Sequence, residues 1–189
     1  MPFIMFCERF PIVDILPAMK GVYFTDNLRL LFYAKAAYIP DYGFLFDLMK
    51  FERNPVVNSI SRFSEHDSIM VVSFNYTGNE KDPAVTVKLN ANGLNEVFVD
   101  EIKDTSLTEV STYKGYDEQG WYWGVRYLLS KGFLNDIYGK ISLATGSVIQ
   151  GNIYAKLVDN LYEHFVAIAP FTDQNILNRQ NYTDFQLLL

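Results

Sequence analysis

Asn152, Tyr154 and Lys156 alternate with Ile153, Ala155 and Leu157 along the chain. Side chains of an extended strand point to opposite faces in turn, so the polar three share one face. An amide, a phenol and an amine in a row can hydrogen-bond a ligand rich in hydroxyls, each contact adding about 0.5–1.5 kcal/mol net. A solvated outer face has the same pattern. Tyr162 and His164 also share a face if a strand begins early there. His164 reads either as a structural histidine or as a ligand contact that titrates near neutral pH. Both tryptophans of the chain, Trp121 and Trp123, fall in the stretch Gly120–Ser130. Two positions apart, they face the same way, with Tyr122, Arg126 and Leu128 on the other side. Such rings either fill a core or lend a stacking surface to a flat ligand.

None of this amounts to a catalytic set. A glycosidase needs two carboxylates at a set separation across a cleft, and the Asp and Glu residues here fall mostly in turns. No GxSxG elbow, HExxH motif or glycine-rich phosphate loop occurs. Cys7 is the single cysteine, which excludes an internal disulfide and a cysteine cluster. His66 and His164 lack metal-ligand spacing, so neither a metal nor another cofactor is expected. The reading is a binding module rather than an enzyme, with a structural or protein-interaction domain as the alternative and an enzyme of sugar chemistry third.

Charge narrows the partners. The formal net charge is −6. A nucleic-acid binder needs a basic stripe that displaces counterions, and an anionic membrane surface asks for the same, so neither partner is expected. The N-terminal run MPFIMFCERFPIVDIL has no positive n-region, and Glu8 and Arg9 interrupt its apolar residues. It reads neither as a signal peptide nor as a spanning helix. The sequence as it stands predicts a cytoplasmic protein, or an extracellular one if a leader has been removed.

The elements that must position these side chains are strands. The chain has 189 residues, 49% hydrophobic and 16% aromatic, with 13 Tyr and 15 Phe. Aromatic and β-branched residues suit pleated, half-buried surfaces. Pro11 and Pro17 bracket an N-terminal edge strand within residues 1–19. Asp26-Asn27 reads as a hairpin turn before Leu28–Tyr38, whose residues alternate well. Ile39–Asn54 is ambiguous, because Phe44, Leu45, Leu48 and Phe51 match helical spacing. Asp67–Tyr76 has few polar interruptions and predicts a strand covered on both faces, with Asp67 opening it. In Ala84–Ala91, Val85, Val87 and Leu89 face inwards. Asn92-Gly93 then marks a hairpin, since both residues tolerate positive φ. A strand before Gly115 precedes the tryptophan strand. Ser130–Gly139 reads as a short helical or looped connection. Ser147–Val158, Phe165–Ala169 and Phe185–Leu189 complete the strands. No helical period lasts beyond about three turns, so residues 1–189 predict one all-β domain. Its form is an antiparallel, jelly-roll-like β-sandwich with one or two short helical connections.

The order of motifs resembles the family 9-like carbohydrate-binding modules, β-sandwich domains related to the DOMON group. Asp67-Ser68 matches an aspartate-serine strand start, and Gly120-Trp121 a tryptophan-bearing strand. Asn152-Ile153-Tyr154-Ala155-Lys156 approximates an asparagine-aromatic-tyrosine-lysine strand. His164-Phe165 leading to Pro170 matches a histidine-phenylalanine step. The resemblance spans roughly residues 20–189. This chain departs from it at Val71, near which the family carries a glutamate, and at Ile168, in place of a tryptophan. Of a His-Arg-Pro-Glu signature near the end, Arg179 remains, with Tyr182 beside it. The resemblance implies weak binding of a soluble saccharide on the sheet face carrying Asn152, Tyr154 and Lys156. His164 would lie nearby, and Tyr154, Tyr162 or Tyr182 would stand in for the missing tryptophan.

Overall fold

A computed structural model describes residues 3–7, 31–105, 107, 109–158, 163–172 and 175–188. The strands are β1 (Phe3–Cys7), β2 (Phe32–Ile39), β3 (Gly43–Phe51), β4 (Ile69–Asn75), β5 (Val85–Asn90), β6 (Asn95–Val99) and β7 (Ile102–Thr105). They continue as β8 (Val110–Asp117), β9 (Gly120–Ser130), β10 (Val148–Val158), β11 (Glu163–Ala167) and β12 (Thr183–Leu188). Among the described residues, one helix, α1 (Lys131–Tyr138), and one 3-10 turn at Arg179–Asn181 interrupt them.

Hydrogen bonding runs in the order β7-β6-β5-β4-β10-β12-β1-β2-β3-β9-β8, with β11 paired to β10. The path folds into two layers, because rings of β3 meet rings that belong to the β4 side. Phe44 lies 4.6 Å from Tyr76, and Phe46 lies 6.2 Å from Phe74, centroid to centroid. The main core is the space between, filled by the inward residues of both sheets such as Leu48, Val72, Val87, Trp123, Ile153 and Phe185. This is the sandwich that the strand pattern predicts.

Period two explains most of it. On β3, Phe44, Phe46 and Leu48 are fully buried on the core side, while Asp47 faces the other way against Tyr113 and Arg126. The helical spacing of Phe44, Leu45, Leu48 and Phe51 is a coincidence of composition: both faces of this strand are partly covered, which blurs its alternation. On β4 every residue is buried, as expected of a strand covered on both sides. The loop between β5 and β6 carries Gly93 at φ +83°, with the Asn90 side chain accepting from the N–H groups of Asn92 and Leu94. Ser130 caps α1 by accepting from the Phe133 N–H, and Gly139 ends it at φ +76°.

Phe10–Leu16 and the Asp26-Asn27 turn lie outside the described residues. The observed β1 is not an edge: it lies between β12 and β2 and is parallel to both. The sandwich is therefore antiparallel except at this seam, where one strand ties the two layers together. Among the described residues no helix is long and apolar enough to cross a membrane.

Candidate functional site

The polar row on β10 leads to the site indirectly. Asn152 is fully buried, and its side chain holds a lobe of chain between β11 and β12. Its Nδ2 donates to the carbonyls of Ala169 (3.1 Å) and Asn181 (3.0 Å), and its Oδ1 accepts from the Ala169 N–H (3.0 Å). Asn181, also buried, accepts from the Thr172 N–H and donates to the Asn175 carbonyl. Asn178 opens the 3-10 turn by accepting from the Gln180 N–H. Three asparagine side chains thus do for this lobe what strand pairing does elsewhere: they satisfy backbone groups that turns leave unpaired.

The lobe delivers Arg179, Gln180 and Tyr182 to the outer face of the β6-β5-β4-β10-β12 sheet. The Tyr182 ring lies across that face, and its hydroxyl hydrogen-bonds Ser73 of β4 at 2.7 Å. Ser73 in turn bonds Thr86 of β5 at 2.6 Å. Two hollows open beside this chain of hydroxyls. One, of about 430 Å³, is lined by Asn75, Glu80, Gln150, Arg179, Gln180 and Tyr182. The other, of about 450 Å³, is lined by residues including Thr86, Asp100, Leu177, Arg179 and Tyr182. Arg179 and Tyr182 border both.

Arg179 is braced at two points. Its Nη1 donates to the Glu80 carbonyl (2.6 Å) and its Nη2 to Asp100 Oδ1 (2.7 Å), so the guanidinium spans from the β4–β5 loop to the β6–β7 turn. Asp100 Oδ1 also accepts from the Ala84 N–H, and Asp100 itself holds φ +53°. A non-glycine residue in that region is strained and persists where its surroundings fix it. On the other side Asn75 orders the β4–β5 loop by accepting from the N–H groups of Thr77 and Gly78. Burial pushes the Tyr182 hydroxyl pKa above its ordinary value, with Ser73 and Arg179 opposing. The phenol therefore remains a neutral donor and acceptor at neutral pH. The site offers a ring, a charge-balanced guanidinium and amides, which suits binding of a neutral polar molecule. Among the described residues no group of three or more His, Cys, Asp or Glu could hold a metal.

No protein-family model matches the sequence, and no curated protein matches it either. Solved structures do. A family 9 carbohydrate-binding module from Caldicellulosiruptor kristjanssonii in complex with cellotriose aligns over 100% of this chain and 94% of its own, with TM-score 0.65 and 10% identity. A family 9 module from the same organism in complex with glucose aligns over 82% of this chain and 75% of its own, with TM-score 0.54 and 11% identity. A candidate carbohydrate-binding protein from Bacteroides uniformis ATCC 8492 aligns over 82% and 78%, with TM-score 0.57 and 12% identity. The fold is that of the family 9 carbohydrate-binding modules.

Within this family 9 fold the residues singled out from sequence separate into distinct roles. Tyr182 lines both hollows. Asn152, Tyr154 and Lys156 do share a face, but that face is roofed rather than open or solvated. Tyr154 is fully buried in a satellite core with Ile69, Val71 and Ala167, against which Phe63, Phe165, Phe171 and Ile176 pack. Its ring meets Phe171 edge-on at 5.8 Å. Burial raises its pKa. Lys156 donates to the Glu65 carbonyl in the β3–β4 loop. The roofing rings come from the β3–β4 loop (Phe63) and from β11 and the lobe that follows it (Phe165, Phe171), all outside β10, which is why the β10 pattern alone does not announce the roof. Tyr162 and the side chain of His164 lie outside the described residues; the backbone pairs His164 with Leu157.

The two tryptophans also part company. Trp123 is buried, and its Nε1 donates to Glu52 Oε2 at 2.7 Å. The same carboxylate accepts from Lys50 Nζ (3.0 Å) and Ser68 Oγ (2.9 Å). Lys50 Nζ also donates to the Lys156 carbonyl, joining the two sheets. Burial lowers the Lys50 pKa, with Glu52 opposing it. Trp121 points to the same side of β9 but extends past the end of the core and is 48% exposed. Alternation gave its direction correctly; where the opposing sheet ends is a tertiary fact. Ser73, Asn75, Thr86, Asp100 and Gln150 carry no signal in sequence, being short polar residues in strands and turns. Arg179 is visible only through the family resemblance.

Proposed function

We propose that this chain is a non-catalytic carbohydrate-binding module that takes a soluble saccharide in the hollows beside Tyr182. The observation that carries this reading is the arrangement of Tyr182 and Arg179, each bordering both hollows, on a rigid sheet face. A sugar ring needs one apolar surface for its C–H face and convergent donors and acceptors for its hydroxyls. Tyr182 supplies the first. Gln150, Gln180 and Glu80 supply the second. The fold neighbours hold glucose and cellotriose, which supports the ligand class. Affinity is expected to be low, because each hydroxyl exchanges good water contacts for protein ones and the complex also loses rotational freedom.

The position on the sheet differs from the one that the β10 row implies. The ligand lies at the Gln150 end of β10, beside the lobe that Asn152 holds. Isothermal calorimetry with glucose and cellotriose, extended by a glycan array, tests this. Binding that Tyr182→Ala abolishes without lowering the melting temperature by more than a few degrees supports the site.

A second reading is a structural or protein-interaction sandwich with no small ligand. It is favoured by the mutual hydrogen bonding of Ser73, Thr86 and Tyr182, which leaves little unmet polar capacity at the floor of the site. An array with no saccharide bound selects it.

A further inference from the structure

Tyr116 and Trp121 are direct cross-strand partners near the turn that joins β8 to β9. Their rings meet edge to face with centroids 5.3 Å apart, and they are 66% and 48% exposed. Every other core-side residue of β9 from Trp123 to Leu129 is buried. The pair is held rigidly. Asp117 Oδ1 accepts from the N–H groups of Gln119 and Gly120 at 2.8 and 3.2 Å, and Gly120 takes φ +125°. On the other side the Glu52 N–H donates to the Trp121 carbonyl at 3.0 Å, extending the ladder of β3 to this point. An exposed indole fixed by strand pairing on both sides loses little freedom when something stacks on it.

We infer that Trp121 and Tyr116 form a second saccharide-binding platform, which stacks the C–H face of a neutral, β-linked pyranose. Two observations select this occupant. The apolar patch is two rings wide and is bordered by the exposed polar residues Lys114, Asp117, Glu118 and Gln119. A stable protein interface wants about 800 Å² on each partner, far more than two rings offer. One sugar ring matches two rings in size, and the surrounding polar groups suit its hydroxyls. Asp117 and Glu118 beside the rings disfavour an acidic sugar. A β-linked, all-equatorial pyranose presents the flat C–H face that an indole accepts.

The platform goes beyond the Tyr182 reading and does not depend on it. It lies at the other end of the sandwich. Trp121 adjoins Trp123, whose cross-strand partner Lys50 bonds Lys156, whereas Gln150 lines the Tyr182 hollow. From Gln150 to Lys156 a strand covers about 20 Å at about 3.3 Å per residue. A trisaccharide is too short to engage both sites, whereas a polymer can. Linked sites of this kind raise retention on a polymer with no gain for a short ligand.

The exposed indole provides its own readout, since Trp123 is buried and acrylamide reaches mainly Trp121. Cellotriose at tens of millimolar is expected to lower acrylamide quenching in the wild type, and equally in Tyr182→Ala. In native gels containing hydroxyethyl cellulose, Trp121→Ala and Tyr116→Ala should each lose at least half of the wild-type retardation. Quenching that cellotriose leaves unchanged, or retardation that both variants leave unchanged, overturns the platform. Calorimetric binding of cellotriose that survives Trp121→Ala and is lost in Tyr182→Ala would then show that the hollow stands without it.

Discussion

Asn152 and Asn181 stand 29 positions apart and are joined by one hydrogen bond of 3.0 Å, from the Asn152 Nδ2 to the Asn181 carbonyl. That bond fixes the start of the stretch that carries Tyr182 relative to the sheet it lies on. Asn152→Ala would leave buried groups of Ala169 and Asn181 without partners, each costing about 1–3 kcal/mol. Chemical denaturation should therefore show a loss of roughly 2–4 kcal/mol. Any saccharide binding at Tyr182 should fall with it. Asn152→Asp keeps the acceptor for the Ala169 N–H but sets a buried carboxylate oxygen against the carbonyls of Ala169 and Asn181, so at neutral pH its loss should be at least that of Asn152→Ala.

The tryptophans offer a sharp contrast in stability. Trp123→Ala removes a buried indole and one of the three hydrogen bonds to the Glu52 carboxylate, and should cost about 3–5 kcal/mol. Trp121→Ala should cost about 1 kcal/mol or less, in keeping with a half-exposed ring at the end of the core. Thermal melts of the two variants separate these outcomes directly. Equal losses would mean that Trp121 is buried as deeply as its neighbour.

Much of the fold is legible in the sequence, and the reasons are local. The Asn92-Gly93 turn and the two-sided burial of Asp67–Tyr76 each follow from one short stretch. The site is harder to see because its parts meet only in three dimensions. Asn152 belongs to a polar row that could face water or a ligand, and its actual partners, Ala169 and Asn181, sit in a lobe with no periodic pattern. Tyr154 looks like a ligand contact on β10 until Phe63 and Phe171 arrive from elsewhere to cover it. The ambiguity of β3 in the sequence is again tertiary in origin. Asp47, read alone, is an isolated charge; in the structure it is a buried acceptor for Tyr113 (2.6 Å) and Arg126 (3.1 Å).

That outer face of the second sheet makes its own prediction. A Cβ on Gly124 would lie 2.2 Å from Tyr113 Cζ and 2.6 Å from the Leu48 carbonyl oxygen. The Tyr113 ring therefore occupies the space that a side chain at Gly124 would take. Gly124→Ala should displace the ring, break its hydrogen bond to Asp47 and cost about 1–3 kcal/mol. Tyr113→Phe, which keeps the ring and loses only the hydroxyl, should cost less than Gly124→Ala in the same denaturation assay.

Acid should act partly through Asp67. Burial opposes its charge, but hydrogen bonds from the Asn58 and Ser64 N–H groups and the Asn58 amide outweigh it, and the pKa lies below the ordinary value. The unfolded chain consequently takes up the proton first. Stability present at neutral pH is lost as pH falls below about 4, the ordinary aspartate range, towards the folded pKa. Asp67→Asn should lower stability at pH 7 and flatten its slope below about pH 4. An unchanged slope would place the acid sensitivity on other carboxylates.

Arg179 separates stability from binding most cleanly. Its ion pair with Asp100 joins side chains 37% and 53% exposed, so water screens it and the bond should contribute about 0–1 kcal/mol. Its geometric role is larger. Spanning from the Glu80 carbonyl to Asp100, it holds apart the two hollows that Tyr182 also borders. Arg179→Met keeps the length of the stem and removes both braces. The melting temperature should move by only a few degrees, while saccharide affinity at the Tyr182 site should fall about tenfold, the equivalent of one charge-assisted hydrogen bond. Asp100→Asn keeps an acceptor for Arg179 and should lose less. Calorimetry beside thermal melts for both variants tests this. A large fall in melting temperature with unchanged affinity would make Arg179 a structural brace and move ligand recognition to the amides of Gln150 and Gln180.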